Sequence, residues 1–460
     1  MNVAVVGGGI AGLAAAWELV SADRGHQVTV LDPGPLGGRI QTEAFLGHPV
    51  DTGADAFIAR VPEGVALAQE LGLDAELVAP SAGRALLWVG GKLRPMPGGL
   101  VLGAPAHLGP LMASGILGPL GLARAAADLV LPATAWPDDP TVAEVVGRRF
   151  GRQVAERLVD PLVGGIHAGR TENLSAESTA PQLARAARGH RSLLLGLRSA
   201  PPPGGGPVFL APRGGMGRLV ARLVEELAAR GVAFEVQAAT AVCGPRPASA
   251  GKMGGPVLVE PLGAFDAAVL ATPARIAAGL LATSAPGAAA GLNTIDAASV
   301  VLVTLAYRRE ELAVPDGSSG WLVTRTEDRL MTACSFGSAK WPHWSDPETM
   351  VLRVSAGRWH DDTALGLADE DLVARLSQEV AIALGKAAAP SAWRVQRWRE
   401  AFPQYQPGHR AKVARIESAL AASLPGVALA GAALRGSGIP ACIASGRQAA
   451  RAVTAPACGT

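Results

Sequence analysis

Three glycines in the order Gly7-x-Gly9-x-x-Gly12 stand between a short apolar run and a stretch with helical spacing, and Asp32 ends the next apolar run 20 residues after Gly12. This spacing has a definite chemistry. Gly7 permits a tight turn, Gly9 lets a pyrophosphate reach the backbone, and Gly12 lets a helix close on a strand. Ile10 and Ala11, between the second and third glycines, belong to the same cofactor contact, and Asp32 accepts the hydroxyls of a ribose. The bland alternative for Asp32 is the cap of a surface loop. The fingerprint occurs once, without the second copy that a flavin reductase drawing on NADPH carries. A single copy fits a flavin oxidase or a nicotinamide-dependent dehydrogenase.

The elements that must hold these residues follow from periodicity. Residues 3–6 and 27–31 read as buried strands around a helix carrying Leu13, Trp17 and Leu19, as a parallel crossover requires. Further strands are expected at 232–236, 267–270 and 427–430, the last followed by a glycine-rich turn and a helix over 431–450. They rejoin the first sheet, so the domain is discontinuous. Residues 63–151 read as mostly helical (65–71, 120–130, 142–150), and 216–230 and 369–384 as single helices. Between 299 and 354, β-like runs at 300–307, 320–324 and 350–354 alternate with turns, which predicts a mainly antiparallel sheet. Linker-like stretches fall at 201–207 and 244–256.

With 41 Lys+Arg against 39 Asp+Glu, the net charge of +2 excludes a general nucleic-acid binder. A chain that is 49% hydrophobic and 17% charged is too apolar for disorder, and 460 residues predict two or three domains. Cys243, Cys334, Cys442 and Cys458 form no C-x-x-C pair, so neither a zinc site nor a disulfide framework is expected, and a reducing cytoplasm is the default. No signal peptide is expected, because Met1-Asn2-Val3 leads directly into folded structure. Residues 95–123 carry no acid, Lys or Arg, but Pro97, Pro105, Pro110 and Pro119 break them too often for a spanning helix.

Gly37-Gly38-Arg39-Ile40-Gln41-Thr42 and Asp51-Thr52-Gly53-Ala54-Asp55-Ala56-Phe57 resemble the amine oxidase and protoporphyrinogen oxidase superfamily of FAD enzymes. The resemblance implies that Gly37, Gly38 and Arg39 wrap the ribityl and pyrophosphate portion of FAD and that Gly53, Ala54, Asp55 and Ala56 border it. Arg213-Gly214-Gly215-Met216 resembles the second motif of that superfamily and the segment ending Thr272-Pro273 its third strand, while Val242 matches a position bracketing the adenine. Gly431 and Gly438-Ile439-Pro440 resemble the strand end and helix N-terminus that close over the flavin. Pro161-Leu162-Val163-Gly164-Gly165-Ile166-His167-Ala168-Gly169 is similar to the active-site segment of porphyrinogen oxidases, and Trp398 with Phe402-Pro403-Gln404-Tyr405 to their flavin-side motif. Arg170 departs from the family, where Asp or Asn is expected.

The implied class is α/β: a discontinuous Rossmann-like FAD-binding domain (1–55, 205–272, 425–460), an antiparallel-sheet substrate domain (56–70, 160–204, 273–424) and a helical, membrane-type insertion (71–159). The implied reaction is FAD-dependent, oxygen-linked oxidation of a porphyrinogen to a porphyrin in heme biosynthesis. Hydride leaves a bridging carbon for the flavin, oxygen reoxidises it to give hydrogen peroxide, and three rounds complete the porphyrin. The flavin carries the chemistry, so neither a catalytic side chain nor a metal site is expected.

Propionates need cationic partners, for which Arg60, Arg84 and Arg170 are candidates, with Ile166, His167 and Gly169 beside the ring. His167 either donates to a carboxylate or fills a turn. Gram-positive members resemble coproporphyrinogen III oxidases, and only 5 Lys among 41 basic residues suggests a G+C-rich genome of that type. Protoporphyrinogen IX is the alternative substrate. An amine oxidase or desaturase is disfavoured by 4% aromatic content with two Tyr, and a non-catalytic flavin or porphyrin carrier is the remaining reading. Residues 178–224 lack acids and hold seven arginines; they could dock on anionic lipid, attract substrate, meet another heme-synthesis enzyme, or form a solvated loop. The expected place is the cytoplasm, with at most peripheral contact with the inner face of the membrane.

Overall fold

The computed structural model describes residues 1–21, 25–199, 205–244, 255–385 and 389–455. The two expected linkers lie largely outside these, as does Cys458.

Five parallel strands form one sheet in the order Ala233–Glu235, Gln27–Leu31, Asn2–Val6, Ala267–Leu270, Val427–Leu429. Val3, Ala4, Val5 and the whole of Ala267–Leu270 are buried, as strands covered on both faces must be. One face carries the helices Ile10–Ser21 and Ile439–Thr454, which touch backbone to backbone: a Cβ on Gly446 would lie 2.0 Å from the carbonyl oxygen of Ala11. The other face packs on Ala274–Leu281, Pro286–Asn293 and His409–Ser423 through Leu280, Leu292, Ile416 and Leu420.

A second sheet has seven strands in the order Ala392–Pro403, Ala297–Arg308, Thr349–Ala356, Met331–Ser335, Ser318–Val323, Arg84–Val89, Lys92–Pro95. Its pairings are antiparallel except that of Ser318–Val323 with Arg84–Val89. Asp369–Leu384 covers one face through Leu372, Leu376 and Val380. The last two strands correct the mostly helical expectation for 63–151. Leu86, Leu87, Trp88 and Val89 are all buried, so the run shows neither period, and Gly90-Gly91, both at positive φ, turn it into a hairpin.

A helical unit completes the fold, with Leu108–Ser114, Pro119–Ala126, Val142–Phe150, Pro181–Gly189 and Leu193–Arg198 around a common core. Val142–Phe150 starts at a reciprocal cap between Thr141 and Glu144. In its described parts, 178–199 and 205–224, the acid-free stretch is not a free basic loop. Arg188 pairs with Glu177, Arg218 with Glu76 and Arg222 with Glu226, while Arg191 donates to the carbonyls of Leu129 and Leu131. These arginines clamp the chain to itself. Among the described residues no helix is long and apolar enough to cross a membrane.

Candidate active site

One cavity of about 800 Å³ runs from the carboxyl ends of the parallel strands to the face of the seven-stranded sheet. A ligand crevice belongs at that end of a parallel sheet. Its first half is built by the glycines. Gly7 has φ +109° and its N–H donates to Leu31 O at 2.8 Å; a Cβ there would meet Ala271 O at 2.7 Å. A Cβ on Gly12 would lie 1.8 Å from Gly7 O. On Gly9, by contrast, a Cβ would meet nothing within 4 Å, although Gly9 lines the cavity. The protein's own packing demands two of the three glycines; the third keeps a cradle clear for something else.

Asp32 stands beside that cradle and accepts the N–H groups of Gly8 (2.6 Å) and Gly34 (2.8 Å), which fix the direction of its carboxylate. The turn at Gly37-Gly38 lies against it: Gly37 N–H donates to Gly8 O at 2.8 Å, and a Cβ on Gly38 would lie 3.3 Å from Gly9 Cα. Arg39 lines the cavity, but its Nη1 donates to Ala401 O (2.7 Å) and its Nη2 to Glu400 O (2.9 Å). Its guanidinium thus joins the cofactor side to the end of the long strand Ala392–Pro403. Thr272 Oγ1 is buried at the cavity without a protein partner.

Gly53 packs on Arg39, where a Cβ would lie 2.0 Å from Arg39 O, and faces Trp398, whose indole N–H donates to Thr52 O at 2.9 Å. Asp55 receives Lys340 Nζ at 2.7 Å, Trp341 Nε1 at 3.1 Å and Arg353 at 3.1 Å. Burial disfavours its charge, yet Arg353 and Lys340 outweigh that and hold the carboxyl far below the usual carboxylate range. Asp51 differs. Burial pushes it up to about 6, against hydrogen bonds donated by Thr42 Oγ1 (2.5 Å) and Met216 N–H (2.9 Å).

The second half begins at Ala155–Gly164, a helix of π type containing Pro161. Its wider turn tolerates a residue without an N–H, and such turns cluster at functional sites. It brings Asp160, Pro161, Leu162 and Gly164 to the cavity, followed by Ile166 and Gly169. Opposite lie Val300, Leu302, Leu322 and Val323, with Thr332, Arg353, Ser355 and Arg358 as the polar part of the wall.

Of the residues expected from sequence, Gly7, Gly9, Ile10, Ala11, Asp32, Gly37, Gly38, Arg39, Gly53, Ala54, Asp55, Ala56, Thr272, Trp398, Gly431 and Ile439 line this cavity, as do Ile166 and Gly169. Gly12, Val242, Gly438 and Pro440 do not. Arg60, Arg84 and Arg170 are exposed and stand outside it; Arg84 donates to Asp316 O. His167 also stays out. Its ring packs edge-on against Tyr405 at 5.8 Å, its carbonyl accepts Gln404 Nε2 at 2.8 Å, and burial lowers its pKa to about 4, so it is a neutral core residue. Arg353, Arg358, Lys340, Thr332 and Ser355 were not anticipated. One signal was available: in Thr349–Ala356, Arg353 and Ser355 alternate with buried Leu352 and Val354, which marks a polar face.

The open cradle at Gly9, the oriented carboxylate of Asp32 and the unpartnered Thr272 hydroxyl together fit a dinucleotide cofactor. Comparison with known proteins agrees. Residues 10–454 match the family model of flavin containing amine oxidoreductases. The chain is 37% identical to coproporphyrinogen III oxidase of Mycobacterium bovis, covering 98% of this chain and 96% of the relative. It is 32% identical to coproporphyrinogen III oxidase of Bacillus subtilis, covering 97% of each. A crystal structure from Exiguobacterium sp. 255-15, provisionally named a protoporphyrinogen oxidase, superposes with a TM-score of 0.86 at 28% identity over 98% of both chains. With one cofactor accounting for the glycine cradle and relatives matching from end to end, the chain belongs to the flavin-containing amine oxidoreductases, within the FAD-dependent protoporphyrinogen and coproporphyrinogen oxidase family.

Proposed function

We propose that this chain oxidises coproporphyrinogen III to coproporphyrin III in heme biosynthesis, with molecular oxygen as the final acceptor and hydrogen peroxide released. The observation that carries the reading is continuity: the cradle at Gly9 and the chamber between Ile166, Leu322 and Arg353 are one space. A reduced tetrapyrrole in that chamber would have a bridging carbon within reach of a cofactor in the cradle. FAD would be held by Gly7, Gly9, Asp32, Gly37, Gly38 and Thr272, which line the cradle half of the cavity, and would supply the two-electron acceptor.

The chain's own residues bind, orient and exclude water. Val300, Leu302 and Leu322 form apolar wall on which a reduced tetrapyrrole can lie. Trp398 is fixed by its bond to Thr52 O, so its indole makes a stationary boundary between the two halves. Lys340 and Arg353 carry charge into the cavity but are locked to Asp55, which keeps both from competing for the substrate's carboxylates. The names of the Mycobacterium and Bacillus relatives support the four-propionate substrate, and that of the Exiguobacterium protein supports protoporphyrinogen IX.

The test is to supply the flavin-loaded enzyme with each porphyrinogen and follow porphyrin fluorescence together with oxygen uptake and peroxide. Faster turnover of coproporphyrinogen III is expected. Faster turnover of the two-propionate substrate would reassign it, and inertness toward both with flavin bound would refute the reaction. We also assign the enzyme to the cytoplasm, with at most peripheral contact with the inner membrane face and delivery of product to a later enzyme of heme synthesis.

A further inference from the structure

Among the described residues, the cations lining the cavity are Arg39, Arg275, Lys340, Arg353 and Arg358. All but one are committed within the protein. Arg39 donates to two main-chain carbonyls, Arg275 pairs with Glu400 at 3.2 Å, and Lys340 and Arg353 share Asp55. Arg358 differs: among the described residues no hydrogen bond or ion pair holds its guanidinium. The group is half-buried, and burial lowers its pKa. Asp160 and Asp361 favour its charge while Arg325 and Arg170 oppose it. Neither acid is idle. Asp160 is held by Arg325 at 2.8 Å and by Thr171 through N–H and hydroxyl, and Asp361 accepts Thr363 N–H at 3.1 Å.

The backbone fixes where this cation stands. Strand Thr349–Ala356 ends at Gly357, whose φ is +95° and where a Cβ would lie 2.9 Å from Ser299 O. Next along, Trp359 N–H donates to Ala168 O at 2.7 Å. Arg358 is thus presented where the strand end meets the segment carrying Ile166 and Gly169. A partly desolvated arginine without a partner is unfavourable, and its planar fork matches one chemical group best, a carboxylate accepting two parallel bonds.

We infer that Arg358 is a substrate-binding residue that receives a propionate carboxylate of the tetrapyrrole and makes affinity depend on the substrate's acidic arms. The inference rests on the porphyrinogen reaction proposed above.

The test uses flavin-loaded wild type, Arg358→Met and Arg358→Lys. It measures KM and kcat for coproporphyrinogen III, and separately the binding of the product, coproporphyrin III, and of its tetramethyl ester by fluorescence. In Arg358→Met, KM is expected to rise and coproporphyrin III affinity to fall by roughly tenfold or more, the worth of one charge-assisted pair. Arg358→Lys recovers part of the loss, and the ester binds all three proteins alike. Should Arg358→Met fail to load flavin, Arg358→Lys decides: weaker binding of the free acid but not of the ester supports the assignment. KM and free-acid affinity within twofold of wild type in a flavin-loaded variant overturn it. Wild-type inertness toward porphyrinogens, with coproporphyrin III still bound through Arg358, removes the reaction and leaves the carboxylate site. Normal turnover with indifferent variants does the reverse.

Discussion

Replacing Gly9 by alanine should remove cofactor and leave the fold, whereas the same change at Gly12 should do the opposite. Gly9 is not at positive φ, so an L side chain fits its backbone, and a Cβ there meets no protein atom within 4 Å. The apoprotein should even gain about 0.4–1 kcal/mol, because the unfolded chain loses freedom. The new methyl nevertheless occupies the approach to the amides of Ile10 and Ala11, which have no acceptor in the first turn of their helix. Losing one charge-assisted hydrogen bond to a phosphate is worth about 1.5–3 kcal/mol, or roughly ten- to a hundredfold in FAD affinity. At Gly12 the Cβ would stand 1.8 Å from Gly7 O, so helix and turn must part. Overpacking of this kind costs about 1–3 kcal/mol or more. Fluorescence titration of each apoprotein with FAD and urea unfolding without it separate the two effects. Wild-type affinity in Gly9→Val, or equal destabilisation of Gly9→Ala and Gly12→Ala, would refute the assignment of the cradle.

Two buried groups give opposite pH slopes. Asp51, raised from 3.8 to about 6, withdraws stability as pH climbs through that interval, so Asp51→Asn, which keeps the Oδ1 acceptor for Thr42 and Met216, should exceed wild type at pH 8 by about 1–3 kcal/mol and by much less at pH 4; urea unfolding at both checks this. His167, lowered from 6.5 to about 4, withdraws stability as pH falls through its window, so in His167→Phe the apparent loss between pH 6.5 and 4 should vanish, and an unchanged slope would show that the ring is not buried neutral. Asp55→Asn leaves Lys340 and Arg353 facing each other without their carboxylate and should cost about 3–5 kcal/mol in urea unfolding; a loss below about 1 kcal/mol would mean that the three charges are not locked together.

The cofactor half was legible because its requirements are local. A glycine demanded by its own backbone, such as Gly7, or by a helix closing on its own turn, such as Gly12, can be read within one crossover unit. The parallel strands were legible for a related reason: burial on both faces leaves apolar runs such as 267–270 with little ambiguity. The same double burial misled at Leu86 to Val89, inside a stretch that otherwise read as helical. His167 shows a finer limit. It lies between Ile166 and Ala168, which both line the cavity, yet it ends the short helical turn Gly165–His167, Ala168 caps that turn in a left-handed backbone at φ 47°, and the ring turns to Tyr405.

The substrate half depends on subtraction, which a sequence cannot perform. Arg60, Arg84, Arg170 and Arg358 are the same residue type, and what separates them is which acceptors the fold brings to each. Arg191 is satisfied by carbonyls 60 and 62 positions away, and Arg353 by carboxylate and carbonyls roughly 300 positions away. Arg358 becomes conspicuous only after every other cation in the cavity has been matched to its partner. A cation's availability to a ligand is therefore a property of the whole set of pairings, so candidates for choosing the substrate are the last to be read, although candidates for holding the cofactor are the first.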